Sequence, residues 1–303
     1  MGHKEIFLSF SKEDRGFWIR YLLSKGHDVV PSISLSTFTR YSAEGSRNIY
    51  RGMKYTNFKN RVVVIGDSFI DMNTNEAVGN DEDLTFDFDL HWTKKDAKVN
   101  AISGLERLLD LRSRYVLSAP LSSFEGDLKY FREDYEVDDY TGMVGYISQP
   151  DYLREWTWAH MSGPEEDEQS WADLLVTDIK IGGGNASLFS AKIEGKLIKA
   201  YLMPVIFNGK ADISGINGYV NVGGESIYLH ADLDPKRTIK AKYDAIKKGD
   251  RFCYNSEIAD ISLNYHGREF TSKHGFLEHG TSQNLTGFNE VKDKEIKRDS
   301  QNL

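Results

Sequence analysis

Two short segments place carboxylates and a histidine at every second position. The members are Asp87, Asp89 and His91 in FDFDLHW, and His230, Asp232 and Asp234 in LHADLD. Alternate side chains of a strand point to the same side, so each set would share one face, where oxygen and imidazole ligands could hold a divalent metal. The intervening residues are apolar, which is also typical of half-buried strands with one solvent-exposed face. We expect the second alternative and no metal site.

Other motifs of catalysis are weak or missing. The run GGGN at positions 182–185 lies between two predicted strands and is not followed by Lys-Ser or Lys-Thr, so it indicates a hairpin turn and not a phosphate-binding loop. No Gly-x-Ser-x-Gly motif occurs, and Cys253 lies in a strand-like run where a buried, unreactive thiol is expected. These patterns predict no catalytic residue and no cofactor.

A further pattern mixes carboxylates with large aromatic rings in YFREDYEVDDY, which we call the acidic aromatic segment. Seven of its residues are candidates for contact with a partner: Tyr130, Phe131, Asp134, Tyr135, Asp138, Asp139 and Tyr140. Aromatic side chains carry much of the energy of protein interfaces, and carboxylates steer association toward a basic partner. The segment therefore predicts a protein-binding surface, with a solvated loop as the alternative.

Composition limits the class of protein. The chain has 303 residues, 40% of them hydrophobic, a formal net charge of −8 and one cysteine. The single cysteine excludes an internal disulfide and a cysteine-rich zinc site, and it fits a reducing cytoplasm. The negative charge argues against direct binding of nucleic acid, and the absence of a long apolar run argues against a membrane span. We expect a cytoplasmic protein without nucleic-acid or membrane contact.

Hydrophobic spacing predicts an α+β fold. Residues 6–10 and 61–69 indicate buried strands, the second interrupted at Gly66. Helices are predicted over 14–26, 93–117, 151–161 and 164–176, and the last helix over 235–248, with Asp234 as its N-cap.

This pattern divides the chain into four parts. We expect an α/β-like domain over 1–120, an acidic aromatic linker with short helices over 121–175, a β-rich domain with one inserted helix over 176–287, and a charged tail over 288–303.

The opening IFLSFSKEDR resembles the first strand of TIR domains, and VVVIGDSF resembles a later strand of that family. The resemblance covers about the first 75 residues. It implies an enzyme that cleaves NAD with a glutamate, and the matching position here is Glu76. No tryptophan precedes Glu76 in the way the family's pattern requires. NAD processing or nucleotide binding is therefore the alternative function.

In length, acidity and lack of catalytic motifs, the whole chain resembles phage-encoded inhibitors of bacterial defence systems, and Gabija inhibitors in particular. That resemblance implies a protein that is not an enzyme, forms a homo-oligomer around a host defence nuclease complex with a basic DNA-binding surface, and blocks its access to DNA. The several short strands predicted after residue 176 also favour self-association, because unpaired sheet edges tend to pair with a second copy.

Overall fold

A computed structural model describes residues 2–25, 30–50, 61–80, 85–101, 114–150, 152–181, 183–199, 205–243 and 249–296. Within these ranges the chain is almost entirely β-structure. It contains no α-helix, and the one helical element is a short 3-10 turn at Pro235–Arg237. The predicted α+β class, with its α/β-like N-terminal half, is therefore wrong.

Twenty-three strands occur within these ranges, in two sheets. The first eleven strands are β1 (Gly2–Lys12), β2 (Arg15–Lys25), β3 (Ser32–Thr39), β4 (Ala43–Tyr50), β5 (Val62–Ile65), β6 (Ser68–Asp71), β7 (Glu76–Asn80), β8 (Phe86–Lys94), β9 (Val99–Asn100), β10 (Arg114–Tyr130) and β11 (Glu133–Gln149). The remaining strands are β12 (Trp156–Ser162), β13 (Trp171–Ile181), β14 (Gly184–Ile193), β15 (Lys196–Lys199), β16 (Val205–Asp212), β17 (Gly215–Val222), β18 (Glu225–Asp232), β19 (Ile239–Tyr243), β20 (Arg251–Tyr265), β21 (Arg268–Thr281), β22 (Asn289–Glu290) and β23 (Lys292–Ile296).

The first sheet is a half-barrel with the strand order β23-β4-β3-β2-β1-β11-β10-β8-β7-β6-β5, and β9 pairs with β10. The second sheet has the order β18-β17-β16-β14-β13-β12-β21-β20-β19-β22, and β15 pairs with β14. An additional pairing of β18 with β20 closes eight of its strands into a barrel. Nearly all neighbours are antiparallel, but β23 runs parallel to β4 and β22 runs parallel to β19.

Three hydrophobic cores hold these sheets together. One fills the concave side of the half-barrel and contains residues such as Phe10, Phe17 and Phe88. Another fills the closed barrel. The third lies between the sheets, where Trp18 of the first sheet meets Phe276 of the second. The contact between the sheets therefore buries a continuous layer of large aromatic side chains.

The helix predicted over residues 14–26 is a strand, β2. Its odd-numbered side chains, including Phe17 and Ile19, enter the core of the half-barrel, while Trp18 and Arg20 are buried against the second sheet. A strand that is buried on both faces shows no apolar-polar alternation. The apolar positions then match helical spacing by coincidence, which is why the sequence pattern was misleading.

The helices predicted over 93–117, 151–161 and 164–176 are also not formed in the residues of these ranges that the structure describes. Residues 156–162 and 171–181 form β12 and β13, and all seven residues of β12 are buried. Residues 93–94, 99–100 and 114–117 belong to β8, β9 and β10, while 102–113 lie outside the described residues. The first part of the expected linker, residues 121–149, consists mostly of the long strands β10 and β11, which pair with each other.

The predicted cap and turn residues agree with the structure better than the predicted helices do. Asp234 caps the turn that follows it, accepting a hydrogen bond from the backbone N–H of Lys236 at 2.9 Å. The element continues as the strand β19 and not as a helix, and residues 244–248 lie outside the described ranges. Gly66, at φ 60°, forms the turn between β5 and β6 as predicted.

Across the described part of the chain, no helix has the length and apolarity to cross a membrane.

Candidate functional site

A cavity of about 200 Å³ opens between the two sheets. Its walls are mostly aromatic and aliphatic, and include Tyr152, Trp156, Trp158, Leu175 and Leu188. An apolar cavity of roughly 150 Å³ is large enough to bind benzene. This cavity can therefore hold an apolar group of the size of an aromatic ring or a branched alkyl chain.

The first polar group on the cavity wall is the carboxyl of Glu278, which β21 carries into the space between the sheets. The side chain is 5% exposed, and the indole Nε1 of Trp156 donates a hydrogen bond of 2.5 Å to its Oε1. Burial raises the pKa of Glu278 to about 7, with a further contribution from the charge of Glu5, against the opposing effects of Trp156 and Arg20. Near neutral pH this carboxyl can therefore donate or accept a proton.

The second polar group is Glu5, which is held by Arg20 of the neighbouring strand. The guanidinium contacts both carboxylate oxygens, with Nε to Oε1 at 2.5 Å and Nη2 to Oε2 at 2.9 Å. It also stacks over the rings of Trp18 and Tyr243, at 4.5 and 4.4 Å from their centroids. The fixed ion pair places one paired carboxylate on the cavity wall and brings positive charge within range of Glu278.

Behind another part of the wall lies Asp173, which is 1% exposed and has three hydrogen-bonding partners. The Tyr115 hydroxyl lies 2.9 and 2.8 Å from its two carboxylate oxygens, Trp158 Nε1 donates to Oδ2 at 2.9 Å, and His160 Nδ1 is 3.0 Å from Oδ2. Tyr115 and Trp158 themselves line the cavity. Burial and the charge of Asp173 raise the pKa of Tyr115 well above its usual value.

His160 allows one proton to be shared with Asp173. Its Nε2 lies 3.0 Å from the carbonyl oxygen of Pro120 and 2.9 Å from Oγ of Ser162. A carbonyl oxygen only accepts hydrogen bonds, so Nε2 carries a proton. The remaining contact, from Nδ1 to Asp173, then needs one proton on either the imidazole or the carboxyl group. A chain of hydrogen bonds thus runs from His160 through Asp173 to the Tyr115 hydroxyl on the cavity wall.

Glu76, the residue matched to the NAD-cleaving glutamate, lies elsewhere. It begins β7, where its Oε2 accepts a hydrogen bond from the Thr74 hydroxyl at 3.0 Å and its side chain is exposed. It does not line the cavity between the sheets.

The two alternating sets of possible metal ligands also lie away from the cavity. In β8, Phe86, Phe88, Leu90 and Trp92 are buried, while Asp87, Asp89 and His91 face outward. His91 pairs with Glu125 at 3.1 Å. His230 pairs with Asp232 at 3.3 Å, and Asp234 is used as a cap. No group of three or more potential metal ligands occurs among the residues that the structure describes.

The acidic aromatic segment lies in the hairpin of β10 and β11. Its aromatic residues pack inward: Tyr130 is 4% exposed, and Tyr135 and Tyr140 lie against Phe17. Only the ring of Phe131, at the turn with φ 54°, is largely exposed.

The carboxylates of this segment face solvent. Asp134 pairs with Lys129 at 3.5 Å, Asp138 lies 3.9 Å from Lys12, and Asp139 lies 3.7 Å from Lys95. The structure therefore gives part of the predicted interface a packing role and leaves the acidic groups accessible.

Sequence reasoning missed two residues of the cavity wall and the pair behind it: Tyr115 and Glu278, and Asp173 with His160. A signal for three of them was present, because His160, Asp173 and Glu278 stand inside the otherwise apolar runs WTWAHM, WADLLV and GFLEHG. A titratable residue inside a buried strand needs a partner or a function. Tyr115 carried no such signal.

Comparison with known proteins gives the fold and no more. No protein-family model matches the chain, and no curated protein matches its sequence. Three solved structures share its fold. CghA has a TM-score of 0.64 and 7% identity, and the match covers 92% of this chain and 87% of CghA. A candidate AttH protein from Nitrosomonas europaea has a TM-score of 0.58 and 13% identity over 93% and 92% of the two chains. Kievitone hydratase from Nectria haematococca has a TM-score of 0.55 and 11% identity over 92% and 88%.

Proposed function

We propose that this protein is an enzyme that binds an apolar small molecule between its two sheets and transfers a proton to or from it, in a hydration, dehydration or isomerisation. The observation that carries the proposal is Glu278, a buried carboxyl on an apolar cavity wall with a pKa of about 7. One of the proteins with this fold is a hydratase by name, which supports this class of reaction.

The cavity supplies each group that hydration of a carbon-carbon double bond requires. Neutral Glu278 donates its proton to one alkene carbon, and the two π electrons form the new C–H bond. The adjacent carbon becomes electron-deficient, and the faces of Trp156 and Tyr152 stabilise positive charge there. Water then forms the C–O bond and releases a proton to the Glu278 carboxylate, which becomes neutral again. Dehydration follows the same steps in reverse.

The test is solvent-isotope incorporation. The purified protein is incubated in D₂O with a panel of apolar alkenes and alcohols, and mass spectrometry detects products that carry deuterium on carbon. Wild type should label at least one compound, and Glu278→Gln should lose that labelling by a factor of about 100 or more, as expected when a general acid is removed. Glu76→Gln is the matched control, because it removes an exposed carboxyl away from the cavity, and it should label as wild type does. Equal labelling by Glu278→Gln and wild type would overturn the proposal.

The same preparation tests the alternative suggested by the sequence. Release of nicotinamide from NAD that stops in Glu76→Gln and continues in Glu278→Gln would favour the TIR-like function. The inhibitor function stays a prediction. What supports it is the exposed ring of Phe131 beside the exposed carboxylates Asp134 and Asp138.

A further inference from the structure

Two tyrosine rings lie next to each other on the outer surface of the closed barrel. Tyr219 on β17 is 53% exposed, and Tyr228 lies directly opposite it on β18. Their ring centroids are 5.1 Å apart and their planes are tilted by 56°, so the two rings form one angled apolar surface. The Tyr228 hydroxyl donates a hydrogen bond of 2.9 Å to Oδ1 of Asn217, which fixes the second ring. An aromatic pair is thus held in place outside the core.

An amide side chain flanks this pair on each side. Asn208 on β16 lies opposite Tyr219, and Asn264 on β20 lies opposite Tyr228. Residues that lie opposite each other share a face of the sheet, and neighbouring strands are about 4.8 Å apart. The four side chains therefore form a line of about 14 Å across four strands, in the order amide, ring, ring, amide. We call this line the tyrosine platform: Asn208, Tyr219, Tyr228 and Asn264.

The residues beside the tyrosine platform are polar and uncharged as well. Asn217 and Asn221 precede and follow Tyr219 on the same face of β17, and Ser226 and Ser262 lie on that face in β18 and β20. Asparagine is depleted in strands, so strand propensity does not account for four asparagines on one face. Tyrosine, serine and asparagine together are typical of surfaces that recognise a ligand. The composition therefore points to binding.

Charged side chains begin at the border of this face. The border consists of Lys210, paired with Asp212 at 3.3 Å, of His230, paired with Asp232 at 3.3 Å, and of the exposed Glu269 on β21. The line of four residues itself carries no formal charge, in a chain with a net charge of −8. A basic or an acidic ligand would find no partner of opposite charge at its centre.

We propose that the tyrosine platform binds a neutral oligosaccharide, with the apolar faces of its sugar rings on Tyr219 and Tyr228 and its hydroxyl groups bonded to Asn208 and Asn264. The ligand matches the platform in charge, since neither carries any. It also matches in hydrogen bonding, because a hydroxyl group both donates and accepts, and so does a carboxamide. The line of about 14 Å across the strands gives an extended chain of sugars a row of contacts.

A protein partner fits this face less well. A stable protein interface takes about 20–30 residues a side around an apolar core, and only one ring of the platform is largely exposed. A nucleic acid would need cations for its phosphates, and the line of four residues has none. The platform residues are also separate from those that line the cavity between the sheets, so this binding does not depend on the proposed function.

The experiment is affinity electrophoresis in native gels that contain a soluble neutral glucan, xylan or mannan, or the acidic polymer polygalacturonate. At least one neutral polymer should retard wild type, and polygalacturonate should not. Tyr219→Ala should weaken binding about tenfold, whereas Tyr219→Phe keeps the ring and should stay within about twofold of wild type. Asn208→Ala should weaken binding about fivefold, the effect of one hydrogen bond. Tyr41→Ala is the matched control, because Tyr41 is 83% exposed in the turn between β3 and β4 and should leave binding unchanged.

Three results would overturn the proposal: no retardation by any neutral polymer, equal retardation by polygalacturonate, or equal retardation of Tyr219→Ala and wild type. A lower molar mass of Tyr219→Ala in light scattering would also overturn it, since the platform would then belong to an interface between two copies of the chain. Glu278→Gln should be retarded as wild type is. If both bind the polymer equally but neither transfers protons, the proposed function fails and the oligosaccharide site stands.

Discussion

Trp156 and Glu278 lie 122 residues apart in the chain and are joined by a hydrogen bond of 2.5 Å between indole Nε1 and carboxyl Oε1. The bond fixes the carboxyl while burial raises its pKa to about 7. Its neighbour His279 is buried as well, and burial lowers the pKa of that imidazole to about 4. As the pH rises, the titration of Glu278 therefore lowers the stability of the protein, and the titration of the adjacent His279 raises it.

For Glu278, a raised pKa means that the folded protein holds a proton that the unfolded chain releases near pH 4.5. Its contribution to stability is complete below about pH 4.5 and is lost as the pH rises to about 7, a change of about 3 kcal/mol. For His279, a lowered pKa means that stability is lost as the pH falls from about 6.5 to about 4. In wild type the two effects largely cancel between pH 4.5 and 6.5.

Single substitutions should separate them. In urea titrations over this window, the free energy of unfolding of Glu278→Gln should rise with pH more steeply than that of wild type, and that of His279→Gln should fall. All other titrating groups are common to the two variants, so the difference between their slopes is the quantity to measure. Parallel pH profiles for the two variants would contradict the assigned shifts.

Arg20→Met should destabilise the protein by about 3–5 kcal/mol, because Glu5 would be left as a buried charge without its partner. The double variant Arg20→Met with Glu5→Gln should recover much of that loss, since no buried charge then remains. Chemical denaturation of the two single variants and the double variant measures the coupling. Simple additivity of the single effects would show that the ion pair carries no such coupling.

Tyr115→Phe should cost about 1–3 kcal/mol, because the buried Asp173 carboxylate loses a hydrogen-bond donor. Tyr228→Phe removes a hydroxyl that bonds Oδ1 of Asn217 at the surface, and its effect should stay within about 0.5 kcal/mol. Thermal unfolding of both variants provides the comparison. Equal effects would mean that the buried hydrogen bonds of Tyr115 to Asp173 contribute no more to stability than the exposed hydrogen bond of Tyr228.

Gly16→Ala tests a close approach of the two sheets, where β2 meets β20. A methyl group at Gly16 would lie 2.7 Å from Cβ of Glu257 and 3.1 Å from its carbonyl oxygen. The sheets would have to separate, at a cost of about 1–3 kcal/mol. Ser226→Ala, at an exposed position of β18, should be neutral in the same urea titration. A neutral Gly16→Ala would mean that the sheets are packed more loosely than the structure shows.

Tyr135→Ala and Tyr140→Ala should each lower stability by about 1–3 kcal/mol, because both rings pack on Phe17. Asp134→Asn and Asp138→Asn should stay within about 0.5 kcal/mol, since their ion pairs are exposed. A binding assay for a basic partner should therefore use the two aspartate variants, whose fold is unaffected. A wild-type denaturation midpoint for Tyr135→Ala and Tyr140→Ala, or a clearly lowered midpoint for either aspartate variant, would contradict this division of roles.

The sequence allowed the prediction of features that depend on neighbours along the chain. The alternation in β8, the turn at Gly66 and the cap at Asp234 are of this kind. It did not allow the prediction of β2 or β12 as strands, because both faces of these strands are buried and their period is hidden.

The cavity wall is harder still to predict. Glu278 becomes a candidate acid only when β21 meets β12, and Asp173 gains its hydrogen-bond partners only when His160 and Tyr115 reach it from two other strands. These pairings join residues between 13 and 122 positions apart. No local pattern encodes them, although isolated charged residues in apolar runs point to the strands concerned.

The parallel pairing of β23 with β4 makes the closed barrel an insertion within the half-barrel. The strands β1–β11 and β23 form one sheet, and the strands β12–β22 form the other. During synthesis, β4 remains an open edge until the whole barrel has emerged from the ribosome. An exposed edge strand invites pairing with other chains. Aggregation of nascent chains should therefore depend on how fast the barrel is made, and a separate peptide spanning 288–296, supplied in trans, should suppress it.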